Sequence, residues 1–278
     1  MRVEPDLAHW IRLSLVPGIG DATARELLAR FGLPQNIFAS SHAALAAAVG
    51  GKAARALLAE PDAALLERTL AWAAEDNHQV LTLGDTDYPQ ALLTTGDPPP
   101  LLYLIGRASL MNHAALAVVG SRSATPQGLA NAEQFSRAFS DAGLSIVSGL
   151  ALGIDAAAHR GALAGAASTI AVIGTGADIV YPSRNRELAH AIAEGGAILS
   201  CYALGTPGLG ANFPRRNRLI SGLAKGVLVV RGRVAKRLPD YRALCRRTGP
   251  RGVRHSRLHP FAACQGLPSA HQTGCEAR

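Results

Sequence analysis

Five short apolar runs organise the chain from Leu116 onward, and each closes on glycine or at the start of a turn or loop. They read "LAVVG" (116–120), "SIVSG" (145–149), "IAVIG" (170–174), "AILS" (197–200) and "GVLVV" (226–230). Apolar runs of this length without polar alternation are strands covered on both faces, as in a parallel sheet. Helices must cross between such strands, so the pattern demands an α/β fold. It is a Rossmann-like, doubly wound, mostly parallel sheet, with one crossover helix predicted over 127–142.

The segment before this sheet has a different period. Residues 1–78 read as a small helical domain in which "LAHWIRLSLVPGIGDATARELLARFG" spaces its apolar residues helically on either side of "VPGIG". Pro17, Gly18 and Gly20 make the turn, and Asp21 is placed to cap the next helix. Such a helical hairpin either offers outward N–H groups to a phosphate or is a plain connection. Residues 79–106 show short β runs around the Pro98-Pro99-Pro100 hinge, and 79–115 read as a linker and entry to the main domain at 116–230.

Charge divides the chain at Val230. The whole chain carries +8, yet 231–278 holds eleven Lys and Arg against Asp240 and Glu276, or +9, leaving −1 for residues 1–230. Any basic binding face on the folded part must therefore be local. Cys201 stands alone in the body, and Cys245, Cys264 and Cys275 fall in the tail without disulfide or metal-ligand spacing. His255, His259 and Cys264 could be grouped as a zinc cluster, but a basic tail rich in Pro and Gly gives them no frame, so neither metal nor cofactor is expected. Arg2, Glu4 and Asp6 interrupt any leader-like apolar run, and no stretch is long enough to span a membrane, so a cytoplasmic protein is expected.

In a doubly wound sheet, ligands bind beyond the carboxyl ends of the strands. Three turns there have unusual residues: Gly120, Ser121 and Arg122; Ser148 and Gly149; and Gly174, Thr175 and Gly176. Glycines permit close backbone approach, and arginine offers a bidentate fork for phosphate. No G-x-G-x-x-G lies in register and no Walker lysine is present, so NAD and P-loop chemistry are excluded. Asp155 and His159, one helical turn apart, suggest a capping or salt-bridging pair. The densest stretch is "GANFPRRNRLISGL", where Arg215, Arg216, Asn217 and Arg218 crowd Phe213. Cations beside an aromatic ring are what single-stranded nucleic acid requires, since phosphates meet guanidinium groups and a base stacks on the ring.

Taken together, "VVGSR", "SGLALGIDAAAH", "IAVIGTGADIVYPSRNREL" and "FPRRNRLISGL" resemble, in order and spacing, the DNA-processing protein A (DprA/Smf) family. The resemblance runs from about Leu13 to Val230. It implies single-stranded DNA binding in DNA processing, natural transformation and RecA-mediated recombination, with no enzymatic activity. It also implies a DNA site at Gly120, Ser121, Arg122, Ser148, Gly149, Gly174, Thr175, Gly176, Phe213, Arg215, Asn217 and Arg218. RecA would be a partner, and a homodimer would form through a part beyond Val230.

Beyond Val230 the family continues with a "SGSLITAR"-like motif and then "GREVFAIPGSIH", and this chain reads otherwise. Codons permitted for Lys236 to Leu244, read one base later, encode Ser-Gly-Ser-Leu-Ile-Thr-Ala-Arg. The same shift turns Gly249 to Phe261 into Gly-Arg-Glu-Val-Phe-Ala-Ile-Pro-Gly-Ser-Ile-His. Residues 231–278 are thus expected to be an out-of-frame tail, leaving an open edge beside the strand at 226–230 and a destabilised product. Two other readings compete with a DNA-binding mediator. One is a nucleotide-processing enzyme of the lysine-decarboxylase-like group, whose paired-glycine turn "VIGTGADIVYP" lacks. The other is a product without function in its host.

Overall fold

The computed structural model describes residues 5–230 and the two-residue strand 253–254. Six helices open the chain: α1 (Pro5–Leu15), α2 (Asp21–Phe31), α3 (Pro34–Ala39), α4 (His42–Val49), α5 (Gly51–Leu58) and α6 (Ala63–Ala73). Leu13, Leu27, Ile37, Leu45 and Leu57, all nearly inaccessible, form their shared core. Ser41 and Asp62 cap α4 and α6 by accepting from Ala44 N and Leu65 N. Asp21 does not cap α2 as expected, because Gly20 holds the cap position and makes no side-chain bond.

The short β runs read in the stretch 79–115 are strands of the main sheet. β1 (His78–Thr82) and β2 (Leu101–Gly106) pair antiparallel, with α7 (Gln90–Leu93) between them. The helix expected to continue to residue 78 ends at Ala73, and Asn77 takes φ +62 before β1 begins.

The α/β pattern then runs as expected: β3 (Ala115–Gly120), α8 (Pro126–Asp141), β4 (Ser145–Ser148), α9 (Ile154–Leu163), β5 (Thr169–Val172), α10 (Arg186–Gly195), β6 (Ala197–Ser200), α11 (Asn212–Leu223) and β7 (Val227–Val230). Sheet order is β1-β2-β6-β5-β4-β3-β7, ending in β8 (Val253–Arg254). β3 to β7 are mutually parallel, and β2 joins β6 antiparallel. The edge expected to stand open beside β7 is met over two residues by β8, with Val227 opposite Val253 and Leu228 opposite Arg254. The remaining tail, including the shifted-frame stretches and the His255, His259, Cys264 group, lies outside the described residues.

Chain order runs one way from β3 to β6, then reverses, returning beneath the sheet to place β7 beside β3. One face is packed by α8, α9 and α10, where Ile146, Ile154 and Ala157 meet Val118. The other receives α11, whose Leu219, Ile220 and Leu223 join Leu92, Leu110, Val119 and Val172. Because α11 must span from β6 back to β7, its first turn lies at the carboxyl edge of the parallel strands. Trp10, Trp72, Tyr103 and Leu204 form a separate cluster uniting the opening helices with β2. Trp72 meets the Tyr103 ring edge-on at 5.7 Å.

Candidate nucleic-acid interface

The three turns named from sequence and the start of α11 come together at one edge of the sheet. At the centre is Arg216, only 4% exposed, whose Nη1 donates to the carbonyls of Gly149 and Val172, each at 2.5 Å. Gly149 begins the turn after β4 and Val172 ends β5, so one guanidinium ties two neighbouring strands together. Its Nε also donates to Asn217 Oδ1 at 3.1 Å.

Phe213 stands one turn before Arg216 on the open side. The Arg122 guanidinium lies 5.4 Å from its ring centre, and that of Arg216 lies 5.8 Å away. Gly174 lets the turn after β5 pass the ring, since a Cβ there would come within 3.1 Å of it. Tyr181 approaches from a third direction, ring centres 5.7 Å apart and tilted by 34°. Arg122 is exposed while Arg216 is buried, so Arg122 presents the outward charge.

The 149–153 loop beneath these side chains is held at many points. Leu150 takes φ +54, a left-handed conformation costly for a residue with a Cβ, and Gly153 takes φ +81. Leu150 O accepts from Asn185 Nδ2 at 2.8 Å, and Leu150 N donates to His159 Nε2 at 3.3 Å. With Nε2 accepting, Nδ1 carries the proton and donates to Thr169 Oγ1 at 2.7 Å, and that hydroxyl donates to Ile146 O. Burial first, then Arg216 and Arg160, push the His159 pKa down to about 3. The imidazole is therefore neutral, and the expected salt bridge with Asp155 gives way to this neutral chain.

Asp155, 6% exposed, sits at the start of α9 under the same loop. Burial raises its pKa, opposed by the Arg216 charge and by hydrogen bonds from the backbone of Ala151, Gly120 and Gly149. Backbone amides of the first two turns at this edge are thus engaged by an internal carboxylate. Gly149 serves instead as clearance, since a Cβ there would lie 2.6 Å from Arg216 Nη1.

The remaining sequence-derived residues divide into packing and pairing roles. Ser148 Oγ donates to Val118 O, Thr175 Oγ1 to Ile179 O, and Gly176 N to Thr206 O. Ser121 Oγ accepts from Ser123 N and shapes the Arg122 turn. Gly120 abuts the Val230 carbonyl and Ile154, where no Cβ fits. Asn217 is buried. Arg215 and Arg218 point away from the Phe213 pocket: Arg215 Nη2 meets Asp21 Oδ2 at 2.5 Å, and Arg218 pairs with Asp97. Burial pushes the Cys201 thiol up to about 12, so it is no thiolate nucleophile near neutral pH.

A family model for DNA recombination-mediator protein A matches residues 79–235, the segment that builds this edge. The chain belongs to that family. Protein Smf of Synechocystis sp. is 38% identical over 229 residues, covering 80% of this chain and 58% of that protein. DNA processing protein DprA of Streptococcus pneumoniae is 43% identical over 150 residues, covering 54% and 53% of the two chains. The chain spans about half the length of the curated relatives it matches. Among solved structures, S. pneumoniae DprA superposes with a TM-score of 0.72 at 30% identity, covering 92% of this chain and 86% of that one. Helicobacter pylori DprA, whose structure concerns its single-stranded DNA binding mode, superposes with a TM-score of 0.50 at 33% identity, covering 54% and 68%. This family assignment agrees with the resemblance carried by the four sequence motifs.

Arg216 was legible as one of three arginines, but nothing in "FPRRNR" singles out which one turns inward. Tyr181 lay inside a quoted motif without a role. No helix among the described residues is long and apolar enough to cross a membrane.

Proposed function

We propose that this chain binds single-stranded DNA at the carboxyl edge of its parallel strands, and that it does so without catalysing a reaction on it. The observation that carries the reading is the Phe213 ring, with the exposed Arg122 at 5.4 Å and the buried Arg216 at 5.8 Å. Arg122 takes a phosphate, and the Phe213 ring takes a base once Arg122 turns outward to that phosphate. Arg216, Asp155 and the 149–153 loop hold the ring and the turn in place beforehand. Of the residues named from sequence, Arg122 and Phe213 contact the strand. Gly120, Ser121, Ser148, Gly149, Gly174, Thr175, Gly176 and Asn217 shape the edge, and Arg215 and Arg218 fasten it to Asp21 and the 97–100 turn. Titrating single- and double-stranded oligonucleotides across salt tests this. Arg122→Ala should weaken single-strand binding by about 1–3 kcal/mol, and equal affinity for variant and parent would remove Arg122 from the site.

The family's work in natural transformation and recombination supplies the wider setting we propose: a cytoplasmic protein that holds single strands and passes them to RecA. The family's homodimer would form through chain beyond Val230, so a sedimentation measurement on the full chain decides whether this protein pairs. The same segmentation is proposed for its domains, with the first boundary moved to the start of β1: a helical unit ahead of His78, then the stretch to 115 leading into 116–230.

A further inference from the structure

Resting on that reading, we propose that Tyr181 forms a second base-stacking position beside Phe213, so that the groove holds two successive bases of one strand. Every other phenylalanine, tyrosine and tryptophan among the described residues is buried or half-buried, whereas Tyr181 is 47% exposed. An aromatic side chain left to water has given up burial that a core position would have supplied. Its position is defined by two neighbours. Gly208 passes so near that a Cβ there would lie 3.1 Å from the ring, and Phe213 stands 5.7 Å away at a 34° tilt. That separation is too small for a base to enter between the rings, which would need about twice the roughly 3.4 Å stacking rise. It is instead longer than one such rise, which suits a strand stretched so that adjacent bases rest on adjacent rings.

The surroundings favour a polynucleotide over a peptide. Leu209, 51% exposed, follows Gly208 and extends the apolar surface. Arg184 and Arg186, both exposed, follow Tyr181 within five residues, and Arg122 closes the other side of Phe213. The nearest acid in sequence, Asp178, is turned to the loop, where its carboxylate accepts from Gly205 N at 2.8 and 2.9 Å. Apolar faces flanked by guanidinium groups suit stacked bases joined by phosphates, without preference for sequence.

The test is anisotropy of the full chain with short oligothymidylates, at salt high enough to suppress the nonspecific pull of the basic tail. Tyr181→Ala should lose about fivefold or more in affinity, as for one base–aromatic contact, and Tyr181→Phe should bind like the parent. Moving a single abasic residue along the oligonucleotide should reveal two sensitive positions in the parent. Tyr181→Ala should silence one of them, and Phe213→Leu the other. Should Tyr181→Ala fail to fold by circular dichroism, Tyr181→Leu keeps the bulk without the ring, and its affinity decides. Parent-like binding by the folded Ala or Leu variant, with Arg122→Ala impaired, overturns the second position and leaves the DNA site standing. Parent-like binding by Arg122→Ala and Phe213→Leu as well would remove both.

Discussion

The Arg216 guanidinium fills the space beside Gly149 that any other residue's Cβ would need. The Gly149 carbonyl accepts from Arg216 Nη1 at 2.5 Å, while the space where a Cβ of residue 149 would stand is occupied by the guanidinium, 2.6–2.7 Å away. Gly149→Ala should therefore push Arg216 off both carbonyls. The expected cost is about 1–3 kcal/mol in denaturant unfolding, as for an overpacked core, together with a loss of single-strand affinity. An alanine variant as stable and as tight-binding as the parent would show that the contact has room to give.

Arg216→Met removes the charge that opposes the burial of Asp155 and takes a donor from the Gly149 and Val172 carbonyls. A loss of about 3–5 kcal/mol is expected, the range for breaking a buried charge pair on one side. Asp155→Asn added to Arg216→Met should recover part of it, because the amide still accepts backbone bonds and carries no charge. Urea midpoints for the two single variants and the double variant measure the coupling.

Acid should destabilise the fold through His159. Its pKa is pushed from 6.5 down to about 3 in the folded state, so the unfolded chain binds more protons between those values. Stability then falls as pH drops through that window, by about 1.4 kcal/mol per unit at full slope. Asp155 acts in the opposite sense: its raised pKa makes the folded chain the better proton binder above 3.8, so this contribution improves as pH falls. Between pH 7 and 5 the two contributions oppose each other, so the histidine's share is read from His159→Gln: on going from pH 7 to 5 the unfolding midpoint of the variant should shift more in favour of the folded state than the parent's does.

Arg215→Ala should leave single-strand affinity nearly unchanged while Arg122→Ala lowers it, because Arg215 is committed to Asp21. The pair is partly exposed, so its own contribution to stability is about 0.2–1 kcal/mol. The logarithmic salt slope of binding should shrink by about one for Arg122→Ala and stay unchanged for Arg215→Ala. The reverse ranking would mean that Arg215 leaves Asp21 to meet the strand.

Asp21 shows how far local reading carries. In sequence it sits where a cap belongs, after "VPGIG", yet Gly20 takes the cap position and the carboxylate reaches a guanidinium 194 residues away. The helices on either side were legible, because their apolar spacing is local, but the distant partner of a half-buried acid is not. Residues 79–115 were legible in part. Their short β runs show locally, on either side of the hinge prolines, but that β2 joins the sheet against β6 depends on a pairing no local run displays.

By itself the sequence determined the parallel core, the glycine turns at its carboxyl edge and the membership carried by four motifs, because strand burial and close backbone approach leave local signatures. Only the tertiary structure decided which of the three arginines within residues 215–218 turns inward. On α11 successive residues point about 100° apart. Arg216 therefore faces Gly149 and Val172 while Arg215 and Arg218 face Asp21 and Asp97. That direction is set by how the helix is docked under the sheet, a rotation that no stretch of six residues can encode alone.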